Sequence, residues 1–305
     1  MATTREIKNR INSVKDTRKI TNAMYLISST KMRRAKKELE LTRPFFEMLK
    51  RQIASMVNMS ERVRSDYLRG ADGSRAGKKE NETYGYLVIT ADKGLAGAYN
   101  QNVIKKAISV MSKSDNYKLF VVGEYGRHFF EAHGLDIEES FLYTAQNPTL
   151  QRAREITGVL LDSFSRGDIA KIFVVYTDFT NGISGGVPTF TELVPFDRSE
   201  FALEPSEEAD FDPFKFEYEP DIETVLNNII PSYLAGYIYS VLVDSFCSEQ
   251  NARMTAMDAA NRNAEELLDQ LNMQYNHVRQ AAITQEIAEV SAGSRGQEQK
   301  KKKQR

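Results

Sequence analysis

Two long heptad stripes, one near each end of the chain, limit what this sequence can fold into more than any other feature. Steps of four and three from Ile7 pass through Ile11, Val14, Tyr25, Met32, Leu39, Phe46, Leu49 and Ile53 to Met56. Steps of three and four from Ile222 pass through Val225, Ile229, Gly236, Tyr239, Val243, Met257, Leu267, Leu271 and Val278 to Ala288. A mean spacing of about 3.5 residues is the seam of a left-handed coiled coil. The pattern predicts one helix from about Thr4, a candidate N-cap, to about Met59, and another from about Asp221 to Val290. At 1.5 Å per residue these are ~80 Å and ~105 Å long. A rod folded back from the two ends of one chain is a mechanical part before it is anything else.

Between the stripes the pattern changes. Apolar strand-like runs at Tyr84 to Ala91, Tyr117 to Gly123 and Lys171 to Thr177 alternate with helix-like runs at Asn100 to Ser112, Gly126 to His133 and Leu150 to Phe164. Such alternation predicts a Rossmann-like α/β domain with a mostly parallel sheet covered on both faces. Two more extended runs, Val187 to Val194 and Phe214 to Tyr218, finish the sheet or lie at its edge. The expected organisation is an N-terminal coiled-coil helix over 1–64, a polar linker over 65–83 and a central α/β domain with an acidic connector over 84–219. A C-terminal coiled-coil helix over 220–290 and a disordered basic tail over 291–305 complete it.

Charge is divided along the chain although the formal net charge is only -1. Residues 1–64 hold sixteen Lys and Arg against six Asp and Glu, whereas 204–223 hold nine acids and only Lys215. That polarity points to separate partners for separate regions. The cluster Lys31, Arg33, Arg34, Lys36 and Lys37 reads as the solvated outer face of the rod, or as a weak contact to an acidic protein surface. Cys247 is the single cysteine, which excludes an internal disulfide and fits a buried thiol in a reducing compartment. No apolar run approaches the ~20 residues of a membrane span.

An antiparallel pairing that sets residue 59 beside residue 220 places residue i beside about 279 − i. The last helix then outruns its partner beyond about Tyr275. Its free segment carries Val278, Ile283, Ile287 and Val290 around most of its circumference. A short lone helix, apolar all round, expects to be enclosed, so a sleeve from another protein is predicted there. Pro44 and Pro231 fall at nearly one level of the pair. Each costs about 3 kcal/mol inside a helix, which predicts a bend or break near the domain end.

Motifs for chemistry are absent or weak. Asp92-Lys93-Gly94-Leu95-Ala96-Gly97 follows a strand and precedes a helix, but lacks the glycine pattern of a dinucleotide loop and the ending of a P-loop. A tight strand-to-helix turn is the better reading. Thr177, Asp178, Asn181, Gly182, Gly185 and Gly186 read as a second turn. His128 and His133 lie five apart beside Phe129 and Phe130, without metal-ligand spacing. No catalytic constellation, cofactor site or metal site is expected.

The opening IKNRINSVKDTRKITNAMYLISSTKMRRA, the central ADKGLAGAYN and the closing SEQNARMTAMDAANRNAEELLDQLNMQYNHVRQAAITQEIAEV resemble the gamma subunit of the rotary ATP synthase. The resemblance runs from about Arg5 to Gly293. It implies a non-catalytic shaft inside a ring of alternating alpha and beta subunits. The apolar tip then turns in a sleeve, and the foot meets the epsilon subunit and the membrane ring of c subunits. The implied place is peripheral, on the cytoplasmic face of a bacterial plasma membrane, with proton flow driving rotation. By matching positions, Met24, Arg253, Gln280 and Thr284 become contacts to beta, and Phe216 and Glu219 become contacts to the membrane ring or epsilon.

The chain departs from the family pattern in three places. Ala96 stands where many members have cysteine, the regulatory cysteine pair of chloroplast members is missing, and the lysine-rich end runs past the usual terminus. Two rivals remain at this level: a nucleotide-binding α/β enzyme with a dimerising coil, and a coiled-coil nucleic-acid adaptor. Both leave the apolar overhang unexplained.

Overall fold

The computed structural model describes residues 3–59, 63–69, 82–142, 145–179, 186–201 and 217–303, with side chains to 293. Phe216, Asn181, Gly182, Gly185, most of the 65–83 linker and most of the acidic connector lie outside these residues. The chain divides into two compact units, 28–255 and 1–27 with 256–305. Helix α1 (Thr4–Met59) and helix α5 (Ile222–Lys303) each contribute to both.

Within the unit 28–255, the elements after α1 are β1 (Thr83–Ile89), α2 (Tyr99–Met111), β2 (Asn116–Val122), α3 (Glu124–Ala132) and β3 (Glu139–Phe141). They are followed by α4 (Leu150–Ser165), β4 (Lys171–Asp178), β5 (Val187–Val194) and a 3₁₀ turn at Arg198–Phe201. The sheet order is β3-β2-β1-β4-β5, parallel throughout except for antiparallel β5. β1, β2 and β4 are near-continuous apolar runs because helices cover both sheet faces. On β1, Leu87 and Ile89 join one core with Ile156, Leu160 and Phe164 of α4 and Leu226, Ile230 and Ile238 of α5. Tyr86 and Val88 point the other way, to Val103, Ile104 and Ala107 of α2.

One glycine sets the approach of α3 to this sheet. Gly123 has φ 97, and a Cβ there would lie 2.3 Å from the Thr90 carbonyl oxygen. Only glycine takes that conformation at that distance without strain. Thr90 then bridges the elements: its Oγ1 donates to the Val122 carbonyl at 2.9 Å and accepts from the Gly126 amide at 3.0 Å.

In the unit 1–27 with 256–305, α1 and α5 run antiparallel. Ile7 and Ile11 are buried with Leu268 and Leu271, and Val14, Leu267, Tyr275 and Val278 pack around them. Thr21 Oγ1 donates to Asn261 Oδ1, and Arg18 pairs with Glu265 at 3.3 Å. These pairs show a register about three residues from the one expected, which set Thr21 beside Asp258. Within the unit 28–255 the expected anchor also differs. The start of α5 lies beside residues 64 and 65, not 59: the Arg64 amide donates to Glu223 Oε1 at 2.9 Å, and Ser65 Oγ donates to Asn227 Oδ1 at 2.5 Å.

Several local expectations change. Thr3, not Thr4, caps α1: the Thr3 amide donates to Glu6 Oε2 at 2.8 Å, and the Glu6 amide donates to Thr3 Oγ1 at 3.3 Å. This reciprocal pair satisfies two donors that a helix start leaves free. Both prolines sit inside unbroken helices, so packing along the seam outweighs the loss of one hydrogen bond at each. Glu217 and Tyr218 belong to no strand. Strand β3 went unforeseen, being three residues of mixed polarity.

Helix α5 also continues past Val290 to Lys303, where a disordered tail was expected. Residues 297–303 are Gln, Glu and Lys, good helix formers, and no proline follows Pro231 to stop the helix. The same helix holds a window of mean hydropathy 1.2, long and apolar enough by composition to cross a membrane. The sequence reading missed it because Ser, Tyr and Gly interleave there. Most of that window is buried within the protein, as befits the central helix of a core.

Candidate functional site

Parallel α/β sheets bind ligands outside the carboxyl ends of their strands, where the strand order reverses. Here that point lies between β1 and β4, flanked by the loop Asp92–Gly97 and by Thr177 and Asp178. The crevice is filled by the chain's own α5. Ser245 Oγ accepts from the Thr177 amide at 3.4 Å, and Ser248 Oγ donates to the Thr177 carbonyl at 3.3 Å. One turn on, Arg253 Nη2 donates to the carbonyls of Gly94 at 3.0 Å and Lys93 at 3.4 Å. Its Nη1 pairs with Glu249 Oε1 at 2.6 Å. A nucleotide would have to displace this helix, so the enzyme rival loses the site it needs.

The electrostatics of this plug are those of burial. Desolvation pushes the Glu249 carboxyl up, against the opposing pull of Arg253. Asp244, nearer the start of α5, is pushed up to about 6 by burial and by Asp178, with Lys36 acting the other way. The Cys247 thiol is buried and raised to about 12, mainly by desolvation. It packs in the core beside Phe246, a buried thiol as expected.

The expected contact residues fall into three environments. Met24 is half-buried on α1. Arg253 is buried within this chain and held by Glu249 and the 92–97 loop. Glu249, four residues before Arg253 on α5, went unnoticed, although an acid and a base at that spacing are a readable pair. Gln280 and Thr284 are exposed, with Thr284 Oγ1 donating to the Gln280 carbonyl at 2.8 Å. Glu219 is exposed just before α5.

The basic cluster is not uniform. Arg34 pairs with Glu38 at 2.9 Å and Arg33 Nη2 donates to Ser29 Oγ at 3.0 Å. Lys36 turns inward, its Nζ 4.0 Å from the centre of the Phe179 ring. Lys31 and Lys37 are exposed.

The tip is the most unusual surface. Val278 is the last residue of α5 to pack against the N-terminal segment of α1. From Arg279 to Gly293 every residue is exposed, including Ile283 at 43%, Ile287 at 61% and Val290 at 73%. The overhang starts one turn later than expected, as the register requires. Its branched apolar side chains, Ile283, Ile287 and Val290, stand exposed among polar and small ones, and no other described residue covers them.

Comparison with known proteins accounts for this arrangement. A family model described as ATP synthase matches residues 3–296. The ATP synthase gamma chain of Caldanaerobacter subterraneus subsp. tengcongensis is 42% identical over 299 residues, covering 95% of this chain and 98% of that one. Two solved structures share the fold. A chain of the central stalk and c-ring of the Tetrahymena thermophila mitochondrial ATP synthase has TM-score 0.57 at 24% identity, covering 79% of this chain and 99% of that one. A chain of the OSCP/F1/c-ring assembly of the Euglena gracilis mitochondrial enzyme has TM-score 0.62 at 14% identity, covering 94% and 92%. Full-length identity of this degree leads to one conclusion: the chain belongs to the gamma subunit family of the F-type ATP synthase, as a non-catalytic subunit of the central stalk.

Proposed function

We propose that this chain turns inside a ring of alternating alpha and beta subunits and couples proton-driven rotation of a membrane c-ring to the catalytic cycle of beta. The observation that carries this reading is the bare apolar helix beyond Val278, a surface built to be enclosed. The sleeve that encloses it belongs to the ring, and Ile283, Ile287 and Val290 bear on it. Met24, Gln280 and Thr284 meet beta. Glu219 lies at the foot, with Phe216, where epsilon and the c-ring dock. The chain acts from the cytoplasmic face of a bacterial plasma membrane without crossing it.

The physics of coupling needs no catalytic residue on the shaft. A rod of asymmetric cross-section binds each conformation of beta with a different free energy. Turning it shifts which of three identical sites is open. The polar groups at Gln280 and Thr284 would anchor register between tip and ring, while the branched apolar residues let it slide.

Co-expression with alpha and beta subunits tests the proposal. The expected product is a complex with one copy of this chain and ATPase activity. Membranes carrying the whole assembly should pump protons on addition of ATP. A ring that hydrolyses ATP but never retains this chain would refute it.

A further inference from the structure

We infer that Arg198 is a positioning residue: reaching from the 3₁₀ turn of the α/β domain, it clasps the last turn of α1, so that α1 turns with the domain and with α5 as one piece. The inference rests on the stalk reading above and deepens it. In that reading load enters at the foot and leaves along the long helices. Helix α5 begins at the foot itself, just after Glu219. Helix α1 ends at Met59, and its C-terminal end has to be gripped by the domain. The last four carbonyls of a helix have no partner within it, and a basic side chain is a favourable donor to them. The last turn of α1 holds no basic residue of its own. Arg198 supplies the cation from outside: its Nη1 donates to the Val57 carbonyl at 3.3 Å, and its Nη2 donates to the Val63 carbonyl just past the helix. One planar guanidinium thus fixes both the end of α1 and the chain leaving it. An ammonium lacks that fork.

The turn that presents Arg198 is braced internally and touches both helices. Asp197 Oδ1 accepts from the Ser199 amide at 2.9 Å and from its hydroxyl at 2.7 Å, while Glu200 Oε1 accepts from the Asp197 amide at 3.2 Å. On the α1 side, Asn58 Nδ2 donates to the Phe201 carbonyl at 2.8 Å and to the Ala54 carbonyl at 2.7 Å. On the α5 side, the rings of Phe196 and Phe201 each lie 5.9 Å from the ring of Tyr233. Both phenylalanines are buried, edge to face at 5.1 Å. The turn is also tied to the residues that follow α1: the Arg69 amide donates to the Phe196 carbonyl at 2.9 Å, and the Phe196 amide donates to the Tyr67 carbonyl at 2.8 Å. Aromatic burial against Tyr233 holds the turn on α5, but burial is largely non-directional. The bonds from Arg198 and Asn58 have preferred angles. Directed bonds are what resist rotation of α1 about its own axis.

The test uses the assembled membrane enzyme and two readouts, protons pumped per ATP and hydrogen exchange of the amides of 56–59 and 199–201. Arg198→Met keeps the apolar stem and removes the donors. It should speed exchange in both segments about tenfold, as loss of charge-assisted bonds to carbonyls implies, and lower pumping per ATP severalfold. Arg198→Lys should recover part of both. Asn58→Ala should loosen 199–201 and lower pumping to a smaller extent. An arginine needed only for folding would reduce the amount of assembled enzyme and leave protons per ATP unchanged. Full pumping per ATP in Arg198→Met therefore overturns the inference, and so does unchanged exchange. Should Arg198→Met not assemble, Arg198→Lys and Asn58→Ala decide by the same criteria. A wild-type chain that fails to join the ring refutes the stalk reading instead, a separate outcome.

Discussion

The Phe46 ring on α1 occupies the space that any side chain at Gly236 on α5 would need. A Cβ built at Gly236 would lie 2.0 Å from Phe46 Cδ1 and 2.2 Å from Cε1. Both residues are members of the heptad stripes, so the seam here is a large knob seated on bare backbone. The glycine is what lets the helices close at this level.

Gly236→Ala is therefore expected to destabilise the chain. At an exposed helix position the same change stabilises by up to about 1 kcal/mol, but overpacking here should cost roughly 1–3 kcal/mol. Thermal unfolding will show the sign, and Phe46→Leu in the Gly236→Ala background should recover part of the loss.

At the tip, Ile283→Asp and Ile287→Asp should divide stability from assembly. Both positions are exposed, so unfolding of the isolated chain should move by less than ~0.5 kcal/mol. Enclosing an unpaired carboxylate in an apolar sleeve is costly, and ring binding or ATP-driven pumping should fall. Unchanged pumping in both variants would remove the sleeve from the proposal.

Asp244 should give stability a pH dependence of known sign. Its carboxyl is raised from 3.8 to about 6 in the folded chain, so between these values the folded state binds more protons than the unfolded one. That contribution is fully present below pH ~4 and is lost as pH rises through ~6. Asp244→Asn should stabilise by about 1–3 kcal/mol above pH 6, with the difference fading towards pH 4. Denaturant midpoints of both proteins across that range test it.

Cys247 should be unreactive. A thiol that is buried and raised to about 12 offers almost no thiolate at pH 8. Alkylation by iodoacetamide should be slow in the native chain and rapid once urea unfolds it. Fast native labelling would show that α5 opens at this point.

The stripes made the coil legible because a seam repeated over tens of residues averages away its irregular members. The sheet was legible for a similar reason: β1, β2 and β4 are apolar on both faces and cannot be surface strands. Register was less legible, since Arg64 and Ser65, which meet the start of α5, carry no pattern of their own. The role of Arg253 was out of reach too. Its match to the family pattern pointed to beta and said nothing of the Lys93 and Gly94 carbonyls beside it. The tail misled because lysine-rich ends read as disorder, although the same residues favour helix wherever one already runs into them.

The uncovered spike beyond Val278 has a consequence for the cell that makes this chain. Until the other subunits arrive, it offers proteases a protruding strip and offers other hydrophobic surfaces a place to stick. Synthesis in excess of its partners would then be wasteful or harmful, so balanced supply of subunits, or rapid clearance of orphans, is built into the requirement for a bare tip.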